Sequence, residues 1–182
     1  MFHNTKKKQI ILIRHAKPVE LSDFHGMDFD RPLTPNGINS FRIVAKYLRL
    51  IWVKPDKLVS SPSRRTAETA AILCEQYSDL RVEYIKELYN LGSAGKRDSD
   101  AIHLSVLQKT KKDATILVIV WHNDDLTNFA RMLTGDGVPS LKKWSIAVLS
   151  VPDGVEWKDI KKESLSFVYY LTAQFLRLEE IA

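Results

Sequence analysis

Arg14-His15, Arg65, Glu87 and His122 are the residues of this 182-residue chain whose types and order suit shared chemistry. Arginine offers a rigid fork of N–H donors that matches phosphoryl oxygens and stays charged. A neutral imidazole can attack phosphorus directly, splitting one hard displacement into two easier ones. A carboxylic acid nearby can protonate a leaving group and later deprotonate water. The set is complete for phosphoryl transfer without a metal or a cofactor. Each member also has a plainer reading: a surface dipeptide after a strand, a solvated helix arginine, a surface carboxylate, a satisfied histidine at a strand end. Placement is what sets them apart.

The pattern of elements supplies that placement. Gln9 to Ile13 is a compact apolar run that delivers Arg14-His15 at its tip, as a buried strand would. Thr34-Pro35 reads as an N-cap with proline at the first helical position. Ile38, Phe41, Val44, Ala45 and Leu48 follow at helical spacing, so this helix should run to about Trp52. Lys57 to Ser60 is a second short strand, and Ser61-Pro62 repeats the cap-and-proline device ahead of a helix whose first turns hold Arg64 and Arg65. Arg81 to Ile85 is a third strand candidate, ending near Glu87. Gly92 to Arg97 reads as a loop and Ser99 to Lys111 as a helix. Thr115 to Trp121 is apolar on both faces and ends at His122-Asn123; Leu126, Phe129, Ala130 and Leu133 form the next helical stripe, closed by Gly135. A Pro152-Asp153-Gly154 turn and the alternation of Leu165, Phe167, Tyr169 and Leu171 suggest antiparallel strands at one side.

Strands alternating with helices predict one α/β domain over residues 1–182. Its expected form is a three-layer α/β/α sandwich, a mostly parallel central sheet with antiparallel edge strands. Ligands of such sheets bind beyond the carboxyl ends of the strands. Two histidines, at least two arginines and a glutamate are thereby aimed at one edge.

Composition narrows the class. The hydrophobic share of 45% and charged share of 27% are those of a globular chain. No apolar run approaches membrane-spanning length, the longest being Ile116 to Trp121. Met1 to Lys8 carries basic residues without an apolar segment, which argues against a secretory signal. The single cysteine, Cys74, fits a reducing compartment, so a cytoplasmic location is expected. The formal charge of +5 suits an anionic substrate, and no nucleic-acid-binding signature accompanies it.

The segments ILIRHAKP, DRPLTPNG, LVSSPSRRTAET, KELYNLG and VIVWHNDDLTNFARMLTG, spanning roughly residues 9 to 135, resemble the histidine phosphatase (phosphoglycerate mutase-like) superfamily. The pairing of RHAK with DRPLT-x-x-G and an HN-x-x-L helix is most similar to SixA-type phosphohistidine phosphatases. The resemblance implies that His15 is the phosphorylated nucleophile and that Arg14 and Arg65 bind the phosphoryl oxygens. His122 would donate a hydrogen bond to the transferring group, and Glu87 would match the acid/base position. It further implies a phosphorylated protein, such as a histidine phosphotransfer domain, or a small phosphoester as substrate. Two departures stand out. Trp121 replaces a residue that is usually small, and its side chain should point opposite to His122, into the core or the rim. Asp124-Asp125 stand where Pro-Gly is common, capping a helix at the risk of repelling an anion. Asp28 and Asp30 read as an ion pair or turn cap for Arg31. His3, His25 and His103 have no motif around them.

Three rivals share some of these features. A metal-dependent hydrolase could use His15, His122, Glu87 and Asp124 or Asp125, but neighbouring arginines would repel a dication and no compact ligand spacing appears. A non-catalytic phosphate-recognising module would bind without turnover. A mutase would need insertions that enclose its substrate, and the chain lacks evident ones.

Overall fold

The computed structural model describes residues 7–89, 96–135 and 137–172. In chain order its regular elements are β1 (Gln9–Arg14), α1 (Pro35–Leu50), β2 (Lys57–Ser60), α2 (Arg64–Cys74) and β3 (Val82–Tyr84). They continue with α3 (Lys96–Gln108), β4 (Ile116–Trp121), α4 (Asn123–Thr134), β5 (Ile146–Ser150) and β6 (Ser166–Leu171).

The strands form one sheet in the order β3-β2-β4-β1-β5-β6. β3, β2, β4 and β1 are parallel; β5 reverses against β1, and β6 reverses again against β5. β1 and β4 are buried on both faces, which is why they read as continuous apolar runs. Alternation along them divides the core. Ile11, Ile13, Val118 and Val120 meet Phe41, Val44 and Leu48 of α1 and Ala70 and Leu73 of α2. Ile10, Leu12, Leu117, Ile119 and Trp121 meet Leu107 of α3 and Phe129 and Leu133 of α4. The sandwich therefore has the expected three layers. Each fully buried branched side chain contributes roughly 1.5–3 kcal/mol relative to exposure.

The start of α1 is welded to the loop that follows β1. Thr34 caps the helix through the Gly37 N–H, while its own N–H and hydroxyl both donate to the Lys17 carbonyl. Gly37 is required there, because a Cβ would stand 2.3 Å from the Lys17 carbonyl oxygen. Leu33 adds a bridge to Pro18.

Several boundaries differ from expectation. α1 ends at Leu50, and Trp52, 82% exposed, turns the chain with φ 63°. Ser63 rather than Ser61 precedes α2, because the Ser61 hydroxyl is engaged elsewhere. α3 starts and ends three residues early, so Lys96 and Arg97 are helical; residues 92–95 of the expected loop lie outside the described residues. Gly135 closes α4 with φ 79° and ψ −163°, a conformation essentially restricted to glycine. Among the described residues no helix is long and apolar enough to cross a membrane.

Candidate active site

β1 and β4 run side by side with Arg14 opposite Trp121, so His15 and His122 leave adjacent strand ends together. Their rings stand 5.5 Å apart between centroids, in an edge-to-face arrangement. Backbone bonds clamp the nucleophile position: the His15 N–H donates to Trp121, and the Trp144 N–H donates to the His15 carbonyl.

His15 is 6% exposed. Its Nδ1 donates to the Ala16 carbonyl at 2.7 Å. A carbonyl can only accept, so the proton lies on Nδ1 and Nε2 keeps its lone pair. Thr69 holds that peptide in turn: its hydroxyl accepts from the Ala16 N–H and donates to the Arg65 carbonyl. Burial pushes the imidazole well below its ordinary pKa. The Ala16 carbonyl opposes this, and the neighbouring His122, Arg65 and Arg14 reinforce it. His15 is thus a neutral imidazole at physiological pH.

His122 is neutral for similar reasons. Burial is the leading cause, with Arg65 and Arg14 adding to it and Asp28 opposing, and together they lower its pKa to about 3. Its Nε2 lies 3.0 Å from the Ser61 hydroxyl, while Nδ1 is buried with no hydrogen-bond partner among the described residues. When the Ser61 hydroxyl donates to Nε2, the proton lies on Nδ1, which is then the donor.

Arg65 is 7% exposed and lies in the first turn of α2, where backbone N–H groups favour anions. Its Nη1 donates to the Asp28 carbonyl at 2.7 Å and its Nη2 to Asp28 Oδ2 at 2.9 Å, leaving Nε buried and unpartnered. Arg14 Nη1 donates to the Leu141 carbonyl at 2.8 Å, and its Nε is likewise buried without a partner. Burial lowers the Arg14 pKa and Asp124 raises it, so this departure from the family pattern places a negative field beside a pocket cation. The buried Nε atoms of Arg14 and Arg65 and Nδ1 of His122, beside a neutral nucleophile, thus have no hydrogen-bond partner among the described residues. Buried donors in native proteins are nearly always satisfied, so such a cluster is built for acceptor oxygens brought by a ligand.

Glu87 is placed differently. It is exposed, forms no hydrogen bond or ion pair among the described residues, and lines a groove with Tyr84, Ile85, Ile102 and Lys109. The carboxylate that does touch the cluster is Asp28, whose pairing with Arg31 follows the sequence reading. Tyr89 joins it, donating to Asp28 Oδ2 at 3.3 Å with its ring 5.8 Å from that of His122. Trp121 is buried, packs on His103 and Phe129 and donates to the Leu88 carbonyl, so it anchors the turn that carries Tyr89. It leaves the pocket unobstructed. Among the described residues no group of three His, Cys, Asp or Glu side chains is arranged to hold a metal ion.

Residues 10–103 match the model of the histidine phosphatase superfamily, branch 1. The chain belongs to that superfamily. As a histidine phosphatase it has solved structural neighbours that share its fold. They include SixA of Agrobacterium tumefaciens, 21% identical with a TM-score of 0.70, covering 91% of this chain and 97% of the other. Another is a protein histidine phosphatase SixA complexed with tungstate, 18% identical with a TM-score of 0.72, covering 92% of this chain and 99% of the other. In sequence, an uncharacterised chloroplastic protein of Arabidopsis thaliana is 25% identical over 155 residues, 84% of this chain and 70% of its own length.

Ser61, Thr69 and the Asp28–Arg65 pair escaped the sequence reading. Ser61 looked like a helix cap, and Thr69 was not singled out. The sequence signal for Thr69 was its place one turn after Arg65, on the face that α2 turns to the His15 loop.

Proposed function

We propose that this chain, as one domain over residues 1–182, hydrolyses phosphohistidine on a protein in two metal-independent steps through phospho-His15. The observation that carries the reading is the neutral His15, its proton held on Nδ1 by the Ala16 carbonyl, beside buried nitrogens of Arg14, Arg65 and His122 that have no partner among the described residues. In the first step His15 Nε2 forms a bond to phosphorus as the bond to the substrate nitrogen breaks. Arg14, Arg65 and His122 stabilise the equatorial oxygens. In the second step water attacks phosphorus as the bond to His15 Nε2 breaks; the proton of the water passes to solvent, and His15 leaves as the neutral imidazole with its proton on Nδ1.

The leaving group favours phosphohistidine over an alkyl phosphoester. A departing imidazole is protonated near pH 6.5 and needs little help, whereas an alkoxide needs an acid in contact. Glu87 is exposed and outside the hydrogen-bonded cluster, so its proposed part is to move protons for phosphomonoesters. The name of the tungstate-bound neighbour, a protein histidine phosphatase, supports the same substrate class. A cytoplasmic setting belongs to this reading, supported by one cysteine whose thiol burial pushes up in pKa.

The test compares a phosphorylated histidine phosphotransfer domain with an alkyl phosphomonoester, in EDTA, for wild type and Glu87→Gln. We expect kcat/KM to favour the phosphohistidine protein by about 100-fold or more. Glu87→Gln should change that activity less than about threefold while lowering phosphomonoester turnover by roughly 10-fold or more. A preference for the monoester, or activity lost in EDTA and restored by a divalent cation, would overturn the proposal.

A further inference from the structure

Asp28 is the charged residue of the cluster that phosphoryl transfer, as described, leaves without a task. It sits in a single helical turn, Asp28–Asp30, on the segment between β1 and α1. Backbone and side chain of this one residue grip the same guanidinium, through the Asp28 carbonyl on Arg65 Nη1 and Asp28 Oδ2 on Nη2. The grip occupies two of the five N–H donors of Arg65 and fixes the plane of the fork. Arg65 Nε is left buried, with no hydrogen-bond partner among the described residues.

Asp28 is itself held from behind. Its Oδ1 accepts from Arg31 Nε at 3.0 Å and lies 2.8 Å from Arg31 Nη2, while Arg31 Nη1 donates to the Val19 carbonyl. Tyr89 adds a second donor to Oδ2, beside Arg65 Nη2. A carboxylate beside a phosphoryl site would ordinarily be driven off by the arriving anion. Two arginines on one aspartate keep the trio at a net charge of +1, so Asp28 can stay while the site remains attractive to a phosphoryl group.

We propose that Asp28 is a positioning residue that fixes the guanidinium of Arg65 for phosphoryl binding, with Arg31 as its anchor. The inference rests on the reading of Arg65 as a phosphoryl ligand. It differs from a plain scaffold contact because its effect on phosphoryl binding passes through Arg65.

Tungstate is a suitable probe, and its dissociation constant can be measured by calorimetry for the full chain. The set is wild type, Asp28→Asn, Asp28→Ala, Arg65→Ala and the double variant, each checked for cooperative thermal unfolding. Asp28→Ala should weaken tungstate binding by about tenfold or more in the wild-type background and by less than about twofold in the Arg65→Ala background. The isosteric Asp28→Asn should show the same dependence on Arg65 with a smaller loss, and serves if the alanine variant does not fold. Wild-type or tighter binding by the Asp28 variants, with Arg65→Ala impaired, overturns the proposal, as does an equal loss in both backgrounds. Wild-type binding by Arg65→Ala refutes the assignment of Arg65 itself, and this inference with it.

Discussion

His15, His103 and His122 are all held neutral by the fold. For each of them burial is the leading cause. In the site this is an advantage, because a protonated imidazole has no lone pair for phosphorus. His103 has a different setting: it is buried on Trp121 and Phe129, both ring nitrogens lack partners, and its pKa falls to about 4 with Asp100 as the opposing charge. The unfolded chain takes up these protons near pH 6.5, the folded chain only well below it. Between those values the unfolded state holds more protons, so stability falls as pH falls. For His103 the window runs from 6.5 down to about 4, and for His122 from 6.5 down to about 3. Above that window these groups add no pH dependence. Urea unfolding should show the midpoint dropping steadily from pH 7 to pH 4.5. His103→Leu should remove roughly 1 kcal/mol per pH unit from that slope. An unchanged slope would mean that His103 is not buried as a neutral ring.

The segment from Lys17 to Gly37 serves the site chiefly through what it fastens, touching it at Asp28. The DRPLTPNG run carries Asp28's anchor Arg31, the bridge from Leu33 to Pro18 and the cap that ties Thr34 to Lys17. Glu68 of α2 accepts from the Leu33 N–H at 2.7 Å, so this run is also fastened to the helix that carries Arg65. Gly37→Ala would drive a methyl group against the Lys17 backbone, which neither element can yield easily. We expect a loss of about 1–3 kcal/mol in thermal or urea unfolding, with kcat/KM reduced because Lys17 lies two residues from His15. Wild-type stability and activity would show that the two backbones do not meet so closely. The strand ends and helix faces around this segment were legible in the sequence, because β4 and the interior of β1, Ile10 to Ile13, are apolar and the stripes of α1 and α4 are strict. The Asp28–Arg65 and Ser61–His122 bonds were not, since each joins segments that only the loop trajectories bring together. Trp121 was legible in direction alone. Strand alternation pointed it away from His122, into the core or the rim, while its bond to Leu88 depends on where the next turn passes.

Viewed whole, the molecule is a mostly parallel sheet between two helical layers with its polar cluster where β1 and β4 end. The central claim is that His15 becomes phosphorylated in the course of hydrolysis. Acid-lability trapping tests it most directly: wild type and His15→Ala are mixed with a labelled phosphohistidine protein in EDTA, quenched and assayed for base-stable, acid-labile phosphate. The account predicts a labelled intermediate that rises and decays in wild type and never forms in His15→Ala. Hydrolysis by wild type with no labelled enzyme at any time, or equal labelling of both proteins, would contradict it.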